Sequence, residues 1–252
     1  MSDEIEGVLR RVAASQQYPL LFATISGAHL YGFPSPDSDY DVRGVHIIPA
    51  REVLGLHKRR ETLELSDDRS GPLVDLVTHD AEKFFRLLLR RNGYVLEQLT
   101  SPLVVQTTPE HAELRSLVPG LITRHHAHHY HGFARSQWSL FQKERPRRVK
   151  PLLYVYRVLL TGLHLMRTGH VEANVLVLNE DARLPCIASL VQAKQSGERA
   201  TLDESDIDSH EREFARLLAD LESASVATSL PDAPTAGPAL SDLLVRLRLA
   251  SL

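Results

Sequence analysis

The chain has 252 residues, 43% of them hydrophobic and 24% charged, with a formal net charge of −3; this is ordinary globular composition, and any nucleic-acid partner must be held by a local basic patch. A single cysteine, Cys186, excludes an internal disulfide and a cysteine-rich zinc site and points to a reducing cytoplasm. Residues 1–7 are acidic without the pattern of a secretory leader, and no apolar run approaches the roughly 20 residues of a membrane span, so no membrane partner is expected.

Residues 20–26 form a short apolar run that reads as a buried strand. Residues 40–48, rich in Val and Ile, read as a second strand; 61–65 alternates and ends at a polar loop over 66–71, and 72–78 forms another strand. Asp80 is placed to cap a helix over 81–91, where Ala81, Phe84, Phe85 and Leu88 share helical spacing, and Asn92-Gly93 suits its end. From about residue 109 the pattern turns helical: 109–117, 120–144 and 150–169, the last two parted at Pro146 and Pro151, then 204–226, rich in Glu, Asp and Arg. Residues 228–238 have linker composition and 239–251 form a terminal helix. These elements predict an α/β (α+β) protein: a small mixed-sheet domain over 1–108, a helical domain over 109–227, and a linker with terminal helix over 228–252.

The most informative segment is 25–42, Ile-Ser-Gly-Ala-His-Leu-Tyr-Gly-Phe-Pro-Ser-Pro-Asp-Ser-Asp-Tyr-Asp-Val. A strand runs into a turn at Gly27, a Pro/Ser/Asp loop follows, and Asp39-Tyr40-Asp41 enters the next strand. Alternate residues of a strand point to one side, so Asp39 and Asp41 aim together. Two aligned carboxylates repel unless a cation lies between them; Mg²⁺ suits oxygen ligands and keeps waters and substrate phosphates as the rest of its shell. A glycine turn lets backbone N–H groups approach a phosphate. Phosphate grip beside metal grip is what phosphoryl transfer needs. The bland alternative for an isolated Asp-x-Asp is a solvated turn.

The full segment resembles the signature of the DNA polymerase β nucleotidyltransferase superfamily, Gly-Ser or Gly-Gly, a spacer, then Asp-hydrophobic-Asp/Glu-hydrophobic; here Gly27-Ala28 is followed by Asp39-Tyr40-Asp41-Val42. Tyr31-Gly32 and Ser38-Asp39 look like the branch linked to RNA repair, and the resemblance continues through Val74-Asp75-Leu76, Lys83-Phe84, Asn92, Glu97, Ser101-Pro102 and Lys150-Pro151-Leu152-Leu153-Tyr154, covering roughly residues 20 to 180. It implies a third carboxylate on a neighbouring strand, matched by Asp75, whose charge among Leu73, Val74, Leu76 and Val77 is costly without a partner. It also implies phosphate contacts from Gly27, Ala28 and Ser38. The chain departs from the pattern at Ala28, where the family usually carries a serine hydroxyl.

Lys143, Arg145, Arg147, Arg148 and Lys150 form a basic run in a slightly acidic chain, either a solvated surface or an RNA path. Lys150, Tyr154 and Arg157 share one helix face at i, i+4, i+7. The resemblance implies that such a face closes over the triphosphate, the cations neutralising phosphate and Tyr154 stacking or bonding; a core role for Tyr154 is the alternative. His125, His126, His128, His129 and His131 form a cluster without the Glu or Cys of a zinc motif, and solvent or groove positions are expected.

The expected protein is therefore a cytoplasmic enzyme moving a nucleoside monophosphate from an NTP to an acceptor hydroxyl, with two Mg²⁺ ions (or Mn²⁺) on Asp39, Asp41 and Asp75. The resemblance implies an RNA end as acceptor. A protein hydroxyl as acceptor, or a nucleotide- or RNA-binding module without turnover, stand as alternatives.

Overall fold

Five strands form one mixed sheet in the computed structural model, which describes residues 3–56, 59–68, 71–197, 200–202 and 206–250. In chain order β1 (Leu20–Ile25), β2 (Tyr40–His46), β3 (Thr62–Asp67), β4 (Val74–Asp80) and β5 (Val104–Gln106) take the spatial order β3-β4-β2-β1-β5. β2 and β4 run parallel and every other neighbour pair is antiparallel. A parallel pair needs a long crossover, and here it contains the short helix α3 (Ala50–Val53) and β3.

Alternation along β2 and β4 sorts the two faces of the sheet. Tyr40 and Val42 of β2 and Val74 and Leu76 of β4 are buried, whereas Asp41, Arg43, Asp75 and Val77 are half-buried. The buried set joins Ala23 and Ile25 of β1 in one cluster with Val8, Leu9 and Val12 of α1 (Asp3–Ala14). Helix α1 thus covers one face, and Asp41, Arg43 and Asp75 point to the other. On that second face Phe22 meets Phe84 of α4 (Ala81–Leu89) edge-on at 5.5 Å and stacks on His111 of α6 (Pro109–Ser116) at 4.2 Å. Asp80 caps α4 as expected, accepting from the Glu82 N–H.

Asn92 behaves differently from the expectation. Arg91, at φ 63, ends the preceding helix, and the Asn92 side chain accepts from the N–H groups of Tyr94 and Val95 to start α5 (Gly93–Thr100). Asn suits a helix end and a helix start alike, so local chemistry alone did not separate them. Thr24 donates to the Gln98 carbonyl and Ser101 to the Ile25 carbonyl, which fastens α5 to β1.

The remaining helices are α2 (Gly27–Tyr31), α7 (His126–Lys143), α8 (Val149–Thr168), α9 (Val175–Ala182), α10 (Cys186–Gln195), α11 (Ile207–Ala227) and α12 (Gly237–Leu249). Helix α7 starts six residues later than the expected 120, after a 3₁₀ turn at Val118–Gly120; α1, α9 and α10 were not among the expected elements. Residues 69–70 of the expected loop, the first residues 204–205 of the expected acidic helix and Ser251 of the terminal one lie outside the described residues. Among the described residues, no helix is long and apolar enough to cross a membrane.

The chain divides into two compact units: the sheet unit holds the chain up to Gly27, Asp39–Leu121 and the chain from Ala233, and the helical unit holds Ala28–Ser38 and Ile122–Asp232. The border expected near residue 108 falls inside the sheet unit, because Thr108 caps α6 and donates to the Leu21 carbonyl of β1. The terminal helix α12 also belongs there: Arg246 pairs with Glu113 of α6, and Arg248 with Asp80. Residues 28–38 group with the helices: Tyr31 and Phe33 pack edge-on against Tyr154, with ring centroids 5.5 and 5.7 Å away.

Candidate active site

Parallel pairing sets Asp41 directly beside Asp75 across β2 and β4. Arg43, two residues along β2, lies on the same face. Its Nη2 donates to Asp41 Oδ1 at 2.7 Å and to Asp75 Oδ2 at 3.1 Å. Nη1 donates to the carbonyls of Asp75 and Val42, at 2.7 and 2.9 Å, and Nε donates to the phenolic oxygen of Tyr94 at 3.0 Å. The Arg43 side chain is 12% exposed, against 32% for Asp41 and 40% for Asp75. Burial works to lower the Arg43 pKa, but Tyr94, Asp41 and Asp75 outweigh it and hold the guanidinium above its ordinary value.

Gly27 opens α2 at φ +62. A Cβ there would stand 1.9 Å from Asp41 Oδ2, so the carboxylate rests directly on the glycine backbone. The Ser26 N–H donates to the Asp41 carbonyl at 2.7 Å. The turn and the carboxylate are therefore one packed unit, which requires glycine for its positive φ and for its missing side chain. Asp39 is exposed, one residue before β2 begins.

The carboxylates offer hard oxygen donors, two of them side by side, and Mg²⁺ is commonly held by one or two carboxylates together with substrate phosphates. Among the described residues, no three His, Cys, Asp or Glu side chains converge as a ready-made metal cage.

The other expected contacts fall in the helical unit. Ala28 is buried. The Ser38 hydroxyl accepts from the Ser35 N–H at 3.0 Å and lies 2.9 Å from the Ser35 hydroxyl. Lys194 of α10, fully buried, donates to that same Ser35 hydroxyl at 2.8 Å. Ser38 is thus committed to the loop that leads into Asp39. Lys150, Tyr154 and Arg157 do sit on one helix, α8, with Lys150 and Tyr154 half-buried. Arg157, however, is only 3% exposed, and its guanidinium lies 3.9 Å from the centre of the Tyr31 ring. A cation packed on an aromatic face in the interior stabilises that packing, and Arg157 is engaged with Tyr31 in this way.

The basic run is partly engaged locally: Arg148 pairs with Glu144, and Arg145 donates to the carbonyls of Gln142 and Glu144. In the histidine cluster, His131 meets Glu222 at 3.0 Å, His125 lies 3.8 Å from Asp232, and His126 is buried against Thr123. Burial, then the charge of Arg157, lowers the His129 pKa.

Sequence reasoning missed Arg43, Tyr94 and Lys194. Arg43 carried a usable signal, its i+2 spacing from Asp41. Tyr94 and Lys194 carried none, since their contacts join residues 51 and 159 positions apart.

Comparison with known proteins places the chain in a class, the nucleotidyltransferases of DNA polymerase β type. In particular, the chain belongs to RlaP, the RNA repair pathway DNA polymerase beta family, whose family model matches residues 1–246. It is 31% identical over 156 residues to the uncharacterized protein MJ0002 of Methanocaldococcus jannaschii, covering 61% of this chain and 63% of that relative. It is 26% identical over 213 residues to the uncharacterized protein YcgL of Bacillus subtilis, covering 81% of this chain and 80% of that one. A nucleotidyltransferase-like protein of Exiguobacterium sibiricum is a structural neighbour at 14% identity and a TM-score of 0.35, with 88% of this chain and 75% of that one covered.

Proposed function

We propose that this protein is a metal-dependent nucleotidyltransferase that moves a nucleoside monophosphate from an NTP to the hydroxyl of an RNA end and releases pyrophosphate. The observation that carries this reading is the side-by-side placement of Asp41 and Asp75 on parallel strands, with Asp41 resting on the Gly27 turn. Asp39, Asp41 and Asp75 are the groups that would hold Mg²⁺, or Mn²⁺ in its place. When bound, such an ion neutralises phosphate charge. The backbone N–H groups of the Gly27 turn supply phosphate contacts, a role that a buried Ala28 keeps without the hydroxyl. Asp75, the more exposed of the pair, accepts the proton of the attacking hydroxyl. The acceptor oxygen bonds to the α-phosphorus while the bond from that phosphorus to the bridging oxygen breaks, and pyrophosphate leaves with the electron pair. Lys150 is proposed as a triphosphate contact.

The test is to incubate the full chain with each labelled NTP, Mg²⁺ or Mn²⁺, and single-stranded RNA, and to follow the label. Label on RNA that disappears in Asp39→Asn and Asp41→Asn supports the reading. Label on the protein itself would move the acceptor to a protein hydroxyl. NTP binding without any transfer would make the chain a binding module, and wild-type transfer by Asp41→Asn would remove the carboxylates from the reaction.

A further inference from the structure

Two carboxylates side by side in a half-buried place repel each other, and the sheet register alone does nothing to relieve this. Arg43 is the group that faces both. Its Nη2 touches one oxygen of Asp41 and one of Asp75, at 2.7 and 3.1 Å. A swinging counter-ion would be tethered by its carboxylates alone. Arg43 is instead held from three further points: the Val42 carbonyl, the Asp75 carbonyl and the Tyr94 phenol. Tyr94 in turn stands in the first turn of α5, which Asn92 caps. A guanidinium has five donors in a rigid plane, and this one spends them on five acceptors that converge from two strands and one helix.

We propose that Arg43 is a positioning residue, with Tyr94 as its strut: it keeps Asp41 and Asp75 aimed together so that the pair meets a divalent cation already assembled. The metal side of this proposal rests on the nucleotidyl-transfer reading above. One guanidinium against two carboxylates leaves one negative charge at the pair, so a cation is still attracted. The cost that Arg43 removes is the ordering of two mutually repelling side chains, which a metal would otherwise meet on binding.

Two measurements on the full chain test it. In EDTA, Arg43→Met should lower the melting temperature by about 5–10 °C. Adding Asp75→Asn to that variant should return part of the loss, because it removes the repulsion, whereas Asp75→Asn in the wild-type background should change the melting temperature little. Mn²⁺ titration followed by electron paramagnetic resonance should show at least about tenfold weaker binding in Arg43→Met, with Arg43→Lys in between, since lysine keeps the charge and loses the fork. Tyr94→Phe, which removes a single hydrogen bond, should weaken Mn²⁺ about two- to threefold; it carries the test if Arg43→Met does not fold. Unchanged or tighter Mn²⁺ binding in Arg43→Met or Tyr94→Phe overturns the proposal, as does the absence of any rescue by Asp75→Asn in EDTA. If wild type binds no Mn²⁺ while the EDTA rescue is seen, the metal reading has failed and the carboxylate positioning has not.

Discussion

The parallel pair β2–β4 carries acidic side chains at both ends of its run, and the ends differ in kind. At the start of the strands, Asp41 and Asp75 share one guanidinium and are 32% and 40% exposed. At the far end, Asp80 is 3% exposed and saturated: it accepts from the Ile48 N–H at 3.2 Å and the Glu82 N–H at 3.1 Å, and it pairs with Arg248 of α12. Its neighbour His46 is fully buried, bonded to Thr78 at 2.9 Å and stacked on Tyr18 at 5.5 Å. The same residue type thus has two uses on one strand pair. A carboxylate matched donor for donor and shut from water is a fastening; two carboxylates sharing one cation, open to solvent, remain able to take another charge.

The sharpest way to break this comparison is to remove Asp80. Asp80→Ala strips α4 of its cap, the Ile48 N–H of its acceptor and Arg248 of its partner. A loss of about 3–5 kcal/mol is expected in denaturant unfolding; a loss under about 1 kcal/mol would erase the distinction between the two ends.

Gly27→Ala acts at the open end, where the new Cβ meets Asp41 Oδ2 at 1.9 Å in a left-handed backbone conformation. The expected stability cost is about 2–3 kcal/mol, and nucleotidyl transfer should disappear because Asp41 must move. Near-normal transfer in this variant would show that Asp41 can act from another position.

Acidification should affect the far end first. Burial lowers the pKa of His46 and of His79 to about 4 from an ordinary 6.5. The unfolded chain then binds more protons than the folded one between these values, so the contribution is complete above pH 6.5 and is lost as pH falls toward 4. For a fully buried imidazole the loss at pH 5 is about 2 kcal/mol. Melting curves from pH 7 to 4.5 should show a decline that His46→Gln makes shallower; an identical decline in that variant would remove His46 as its source.

The smallest stability effect belongs to Asp75→Asn. Its carboxylate is 40% exposed and Arg43 keeps Asp41 as a partner, so unfolding free energy should stay within about 1 kcal/mol of wild type. Transfer should nevertheless be lost. Small stability change with lost activity at Asp75, beside large stability change at Asp80, is the contrast in its most direct form.

Much of the sheet unit was legible in the sequence, because apolar runs and Val/Ile-rich stretches mark strands without reference to a partner. A period of two marked Asp39 and Asp41 as a pair and was available to mark Arg43 as well, whereas Asp75 entered as the match for the third carboxylate that the family resemblance implies. Asp80 was legible as a cap because capping is local. What the tertiary structure alone decided was pairing across distance: that β2 lies beside β4 in parallel with Asp41 level with Asp75, that Tyr94 reaches Arg43, and that α6 and α12 belong with the sheet. The segment 28–38 shows the same limit. The resemblance implied phosphate contacts at Ala28 and Ser38; only the structure adds that Tyr31 covers the Arg157 guanidinium and that Ser35 receives a buried Lys194, so these side chains pack with the helices. Local periodicity states which side a residue faces; which element stands there is decided by the burial and register of the whole chain.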